Sequence, residues 1–165
     1  MSCIRSGAAL VCLAALCLVA PRSPSQVRER PASPTPTAPP PRLVPVAETR
    51  LLMEGLTKPN FDGLVRTFKQ KPADAEGWAF ARGQALLVAE SANLLLIRPP
   101  RTRQAQDAWA PRAIELREAG VKLAQAAGAK DYIAARAGLA GLANACNRCH
   151  EAFRVPVRIS PDAAD

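Results

Sequence analysis

The sequence predicts an all-α protein with the architecture of a four-helix antiparallel bundle, and three observations lead to this prediction. Apolar residues make up 48% of the chain but aromatic residues only 4%, so Ala and Leu, both strong helix formers, dominate. Apolar positions recur at steps of three and four residues in the second half of the chain, which is the spacing of one helix face. No segment alternates as a strand would, and most of the 16 prolines lie between Pro21 and Pro45.

Residues 1–25 are predicted to be a signal peptide. Arg5 gives the N-terminus a positive charge, and residues 7–20 form an apolar run without charge. This run is shorter than the about 20 residues that span a bilayer, which favours cleavage over retention as a membrane anchor. Both outcomes stay open at this point, as does the cleavage site. We therefore expect an exported, periplasmic protein that is either released or tethered to a membrane.

Residues 26–45 are predicted to be a Pro-rich linker without a fold of its own. Proline fixes φ and lacks a backbone N–H, so a dense run of prolines forms neither helix nor sheet and is expected to be extended. The segment then serves as a tether or as a simple spacer. The helical bundle is expected at residues 46–157, followed by a C-terminal tail at residues 158–165.

The first helix is predicted over residues 46–71, with an interruption near Pro59. Proline in a helix interior removes one hydrogen bond and clashes with the preceding turn. Asn60 is a favourable N-cap residue, so we expect the helix to restart there.

The second helix is predicted over residues 72–97. The proline that begins it suits a first helical turn, and Asp74 and Glu76 interact favourably with the N-terminal end of the helix dipole. Pro99 and Pro100 end the helix. The aromatic residues expected to pack in the interior are Phe61, Phe68, Trp78, Phe80 and Trp109.

The third helix is predicted over residues 104–127, with Pro111 either in its first turn or at a kink, and with Gly128 as its C-cap. The fourth is predicted over residues 131–155 and ends before Pro156. Both carry an apolar stripe at helical spacing, which is typical of the buried seam of a bundle. The stripe residues are Trp109, Ala113, Leu116, Gly120 and Leu123 in the third helix, and Tyr132, Ala135, Leu139, Leu142, Cys146, Cys149 and Phe153 in the fourth.

The cysteines and the histidine carry the chemical signal of the sequence. Three of the five cysteines lie in the predicted signal peptide, so the mature chain keeps Cys146 and Cys149, directly followed by His150, the only histidine. The Cys-x-x-Cys-His spacing is the signature of a covalently attached c-type haem. On a helix, positions i and i+3 share a face, so both thiols reach one edge of a flat ring, and the adjacent imidazole bonds the iron. We therefore expect one haem c, inside the bundle.

Three other interpretations of the motif are open. A zinc site needs four ligands, or three and a water, and the chain has neither a second cysteine pair nor a second histidine. A thioredoxin-like pair sits at the start of a helix after a strand, whereas this pair lies near a helix end. A local disulfide beside a surface histidine leaves the inward-facing stripe unexplained. Haem attachment accounts for all of these features together.

The segment at residues 146–154, after an Ala-rich helix, resembles the class II c-type cytochromes, the cytochrome c′ family. The resemblance covers about residues 46–155. It implies a haem on the last helix of a four-helix bundle and a periplasmic role in electron transfer or gas binding. It also implies that His150 is the proximal ligand and that Arg154 lies beside the proximal haem face. For Arg154 a helix-end cation that interacts with the dipole is the alternative.

The resemblance further implies that the first helix presents either a methionine ligand or an apolar residue to the second face of the iron. Met53 is the only methionine outside the signal peptide, so it is the candidate ligand, or else a core filler. With one histidine, bis-histidine coordination within a chain is excluded. Arg50 lies three residues before Met53, where the family commonly has an arginine four before. It either pairs with a haem propionate or lies on a solvated face.

We expect a carrier of single electrons and not an enzyme, because no second histidine can act as a base. The alternative function is the binding or sensing of small gases such as NO or CO at an open sixth coordination site. The expected partner is a redox protein of unknown identity, and a homodimer is open. The net charge of +8 comes without a basic cluster with interleaved aromatics, so nucleic acid is not expected. Direct membrane insertion is expected only if the signal segment stays uncleaved.

Overall fold

The structure is a computed structural model that describes residues 42–162. The predicted signal peptide, the linker up to residue 41 and residues 163–165 lie outside the described residues. All the regular secondary structure in the described part is helical, without strands, which confirms the all-α prediction. No helix in residues 42–162 has the length and apolar character needed to cross a bilayer. The helices are α1 at residues 49–67, α2 at Ala75–Leu96, α3 at Arg103–Gly128 and α4 at Tyr132–Ala152.

Helix α1 is continuous, so the predicted interruption near Pro59 is wrong. Its middle section, Met53–Thr57, is a π-helical turn, and the N–H of Lys58 donates to the Met53 carbonyl five residues back. This wider turn carries the helix up to Pro59, which cannot donate a hydrogen bond of its own. Asn60 does not restart the helix, because it lies in the helix interior, where its side-chain amide donates to the Leu56 carbonyl at 2.7 Å.

Helix α2 begins three residues later than predicted, because Asp74 is its N-cap. The carboxylate of Asp74 accepts a hydrogen bond from the Gly77 N–H at 2.8 Å, and Glu76 lies in the first turn. Asp131 caps α4 in the same way, by accepting from the Ala134 N–H at 3.0 Å. Such caps satisfy N–H groups that have no partner within the helix.

Helix α3 contains Pro111 in its interior and not in its first turn, because the helix already begins at Arg103. Helix α4 ends at Ala152, three residues earlier than predicted. The residue that stops it is Arg154, whose φ of 55° lies in the left-handed region. A left-handed residue cannot continue a right-handed helix.

The core lies along the predicted stripes of α3 and α4, with α2 packed on α3 and α1 packed on α2. Each fully buried leucine contributes about 1.5–3 kcal/mol to folding. Phe68 and Trp78 lie in contact with ring centres 6.0 Å apart, whereas Phe80 is 59% exposed, against the prediction. The largest fully buried side chains are Phe68, Leu64, Leu123, Leu139, Leu142, Val65, Val88 and Ser91.

Helices α2 and α3 approach closely at Gly120. A Cβ atom on Gly120 would lie 3.0 Å from the Ala85 carbonyl oxygen and 3.0 Å from the Ala89 Cβ atom. The contact is therefore closed to any larger residue unless the two helices separate. Gly141 in α4 is the opposite case, since a Cβ atom there would meet nothing within 4 Å.

We expect Gly120→Ala to lower the free energy of unfolding by about 1–3 kcal/mol, because the added methyl group forces apart two packed helices. Gly141→Ala is the matched control and should raise it by about 0.5–1 kcal/mol, because it removes backbone entropy without a clash. Urea unfolding followed by circular dichroism measures both. Equal effects of the two substitutions would contradict the close packing of α2 on α3.

Candidate functional site

Cys146 and Cys149 lie on the last turns of α4 and are free thiols. Cys146 continues the buried face formed by Leu139 and Leu142 and is itself 8% exposed, whereas Cys149 is half-buried. The two side chains are three residues apart on a regular helix and therefore leave it on the same side.

Burial controls the ionisation of both thiols. It raises the pKa of Cys146 to about 12, and the neighbouring Cys149 adds to the shift. Burial also raises the pKa of Cys149, which Arg112 opposes and Glu115 reinforces. Both groups are therefore neutral near pH 7. A thioredoxin-like pair needs the opposite, a thiol whose pKa is lowered.

His150 follows the pair and turns toward the C-terminal end of the chain. Its ring Nδ1 lies 2.8 Å from the backbone carbonyl oxygen of Val157. Because a carbonyl only accepts, Nδ1 carries a proton in this contact, and in the neutral ring Nε2 then keeps its lone pair. That is the tautomer in which a histidine ligates a metal through Nε2. The ring also lines a shallow cavity of about 280 Å³ between α4 and the residues that follow it.

Residues 155–162, which we call the C-terminal strap, return along α4 after the helix ends. The reversal is a Schellman motif at Arg154, in which the Val155 N–H donates to the His150 carbonyl at 2.8 Å. Further along, the Asn147 amide donates to the Ile159 carbonyl and accepts from the Ile159 N–H, both at 2.8 Å. Ile159 also packs against the core. The strap includes residues 158–162, which the sequence analysis assigned to a tail.

The opposite side of the motif is held by α3. Arg148 donates to Glu115 at 2.6 Å, and Arg112 donates to the same carboxylate at 2.7 Å. Burial raises the pKa of Glu115, but the hydrogen bonds from Arg148 and Arg112 outweigh it and the net pKa is lowered. The rings of Trp109 and Phe153 also meet edge to face, with centres 5.0 Å apart.

The other predicted site residues differ in their surroundings. Met53 is the first residue of the π-helical turn and packs, partly buried, against the core. Arg50 has a side chain that is 82% exposed and paired with Glu54 at 2.8 Å. Arg154 is exposed at the end of α4.

Sequence reasoning missed the part played by Asn147, Val157 and Ile159. Asn147 occupies one of the two variable positions of the motif, which carry no chemical expectation. The one available signal was the alternation of Val155, Val157 and Ile159 after the helix end, which indicates an extended segment with one repeated face.

Within residues 42–162, no group of three or more His, Cys, Asp or Glu side chains converges as a metal site would require. Comparison with known proteins adds nothing further, because no family model, no curated protein and no solved structure matches this chain. The candidate site therefore rests on the motif and on the contacts described above.

We expect iodoacetamide to modify Cys149 faster than Cys146 in the folded, haem-free chain, because Cys146 is more deeply buried and its pKa is raised to about 12. Peptide mass spectrometry after timed quenching at pH 8 separates the two sites. The control is the same reaction in urea, where both rates should rise to that of an exposed cysteine. Equal rates in the folded chain would contradict the burial of Cys146.

Arg154→Gly should raise the free energy of unfolding by about 0.5–1 kcal/mol, because glycine adopts the left-handed conformation without steric cost. Arg158→Gly is the matched control, since it removes the same charge from the strap at a residue without a positive φ, and it should not stabilise. Chemical denaturation measures both. A loss of stability in Arg154→Gly would show that the Arg154 side chain contributes more than the backbone strain costs.

Proposed function

We propose that this protein is an exported c-type haem protein that carries one haem on Cys146 and Cys149, bound through His150, and transfers single electrons. The observation that carries the proposal is the contact between His150 Nδ1 and the Val157 carbonyl at 2.8 Å. Histidines that ligate metals commonly donate their other ring N–H to a carbonyl or carboxylate, which fixes the ring and raises its basicity. A surface histidine beside a disulfide has no need of such a contact.

The donor set fits a haem. Two neutral thiols leave one side of a helix, and the adjacent imidazole keeps the Nε2 lone pair. When bound, the haem supplies the one-electron couple of its iron. The chain's own part is to attach the ring through Cys146 and Cys149, to orient His150 through the strap, and to pack apolar side chains of α3 and α4 against the buried edge.

The proposed architecture is an antiparallel four-helix bundle, and contacts between its first and last helices support it. The Tyr132 hydroxyl and the Arg136 guanidinium both donate to the Phe68 carbonyl, at 3.1 and 3.4 Å, so the end of α1 adjoins the start of α4. The two donors, Tyr132 and Arg136, lie on either side of residue 134 in α4, and Cys149 follows residue 134 by 15 residues. In α1, Met53 precedes Phe68 by the same number of residues. At 1.5 Å per residue the distance from residue 134 to Cys149 is about 22 Å along α4. The distance from Met53 to Phe68 is slightly shorter, because the π-helical turn at Met53–Thr57 rises less per residue. Antiparallel helices would therefore bring Met53 close to the height of Cys149.

The similar height of Met53 and Cys149 along the two helices supports Met53 as the second axial ligand of the proposed haem. A thioether ligand raises the reduction potential of the iron and leaves no site for exogenous gases, which suits an electron carrier. We propose that the carrier is periplasmic, that its partner is another redox protein, and that it is not itself an enzyme. The predicted signal peptide supports export. Part of the net charge of +8 lies in that peptide, on Arg5 and Arg22, and the mildly basic remainder favours a partner with an acidic surface.

The second candidate function is gas binding, and the packing of Met53 is the observation that favours it. Its side chain already contacts the hydrophobic core in the described structure. Methionine is a common filler of irregular gaps in cores, so Met53 in that role would leave the iron open to CO or NO.

Protein matured in an exporting host with haem-attachment machinery should retain haem on a denaturing gel and show the spectrum of a c-type haem. Cys146→Ser and Cys149→Ser should each leave the haem attached through one bond or lose it, because each removes one thiol that bonds the ring. Cys3→Ser, in the predicted signal peptide, is the control and should retain both bonds. Protein without haem absorbance would overturn the proposal.

Met53→Leu separates the two candidate functions. If Met53 ligates, the reduced wild-type protein has a low-spin spectrum that CO does not change, and Met53→Leu converts it to a CO-binding form. Leu56→Val, a small change at a neighbouring core contact of the same helix, should leave the spectrum unaltered. A wild-type spectrum that is high-spin and shifts with CO would instead support gas binding.

A further inference from the structure

The part of the C-terminal strap from Val155 to Ile159 is fixed to α4 at both of its ends. At its start, the Schellman turn at Arg154 joins the Val155 N–H to the His150 carbonyl. At its far end, Ile159 is partly buried against the core and is bound on both backbone groups by Asn147. The Val157 carbonyl that contacts His150 lies between these two points.

We infer that Asn147 is a positioning residue for His150: by holding Ile159 it keeps the Val157 carbonyl on the Nδ1 of the ring. The inference rests on the proposed function, in which His150 binds the haem iron. It assigns a role to a variable position of the motif, where the haem chemistry itself asks for no particular side chain.

The geometry of the helix and the strap supports this role. Asn147 and His150 are three residues apart on α4, so their side chains are neighbours with Cβ atoms about 5–6 Å apart. Val157 and Ile159 are two residues apart in an extended chain, a rise of about 6.6 Å, and their carbonyls point the same way. The two spacings match, so one helix face contacts the strap at Val157 and at Ile159 in one register.

The amide of Asn147 is suited to this contact because it both donates and accepts. It donates to the Ile159 carbonyl and accepts from the Ile159 N–H, each at 2.8 Å, as a neighbouring strand would. An aspartate would keep the acceptor and lose the donor. The other polar contact between the strap and α4 beyond Val157 is the pair Arg136–Asp162 at 3.4 Å, with side chains 41% and 75% exposed. Exposed pairs of this kind add little.

The consequence for the site follows from the role of the second ring nitrogen. A firm hydrogen bond from Nδ1 to a carbonyl fixes the tautomer and makes Nε2 a stronger ligand. If the strap is released at Ile159, the Val157 carbonyl moves away, the tautomer is no longer fixed, and the ring loses its preferred orientation. A weaker axial ligand stabilises the oxidised iron less, so the reduction potential should rise.

The first test uses the haem-free full-length chain labelled with ¹⁵N-histidine, in which His150 gives the only histidine signals. Wild-type protein should show the Nδ1–H tautomer with a ring proton protected from solvent. Asn147→Ala should shift the ring toward a tautomer mixture and speed exchange of that proton roughly five- to tenfold. Asn144→Ala, an exposed asparagine on the same helix, is the matched control and should change neither.

A second variant, Asn147→Asp, keeps the test decisive if Asn147→Ala misfolds, because aspartate keeps the size of the side chain and its hydrogen-bond acceptor. It should give an effect of the same direction and smaller size, with an unchanged far-ultraviolet circular dichroism spectrum. If both Asn147 variants fold and His150 keeps the wild-type tautomer and exchange rate, the inference is wrong.

The second test uses the haem-bearing protein. Asn147→Ala should retain covalent haem and have a higher reduction potential than the wild type and Asn144→Ala. An unchanged potential in a folded, haem-bearing Asn147→Ala would overturn the inference and leave the proposed function intact. Failure of every variant and the wild type to attach haem would overturn the proposed function, while the ¹⁵N measurement would still decide whether Asn147 positions the ring.

Discussion

The burial of the apolar face of α4 against α3 is the contact on which the rest of the structure depends. Leu139 and Leu142 are fully buried, and a Cβ atom on Gly138 would lie 3.2 Å from a methyl carbon of Leu123, so the two helices are in close contact. This contact fixes the rotation of α4 about its own axis. At about 100° per residue, it also fixes the direction in which every later side chain leaves the helix. Cys146 is buried and His150 faces the strap because the leucines one and two turns earlier are inward.

The end of α4 is then held from two sides by different kinds of interaction. On the side of α3 the carboxylate of Glu115 accepts from two arginines, and an aromatic pair packs beside them. On the other side the strap makes backbone hydrogen bonds to Asn147 and His150. Ionic contacts at a half-exposed surface are weak individually, whereas backbone groups held in a fixed register define direction well. The two sides therefore have different roles: the contacts with α3 hold the end of α4 in place, and the strap orients the imidazole ring of His150.

The helices and their buried faces could be predicted because they depend on composition and period, which are local properties of the chain. The stripe from Ala135 to Cys146 needed only the spacing of apolar residues. The π-helical turn before Pro59 could not be predicted, because the sequence shows the proline but not which hydrogen-bonding pattern the helix adopts to reach it. The exposure of Phe80 depends on how the whole helix is rotated against its neighbours. The pairing of Arg50 with Glu54 is a local i,i+4 contact that the spacing of the two residues allowed. The Cys-x-x-Cys-His motif could be recognised from the sequence. The contact of Asn147 with Ile159 could not, because the two residues come close only through the reversal of the chain at Arg154.

The π-helical turn at Met53–Thr57 also changes how distances along α1 should be counted. A π turn holds about one residue more than an α turn, so the residues after it are displaced by one position, roughly 100° around the axis, relative to those before it. Spacing rules for an ordinary helix thus fail across this turn, and Arg50 and Thr57 do not lie on the faces that their numbers suggest. An aligned sequence that lacks the extra residue would need a one-residue gap inside this helix. A relative that lacked the extra residue could share the whole fold and still score poorly along α1.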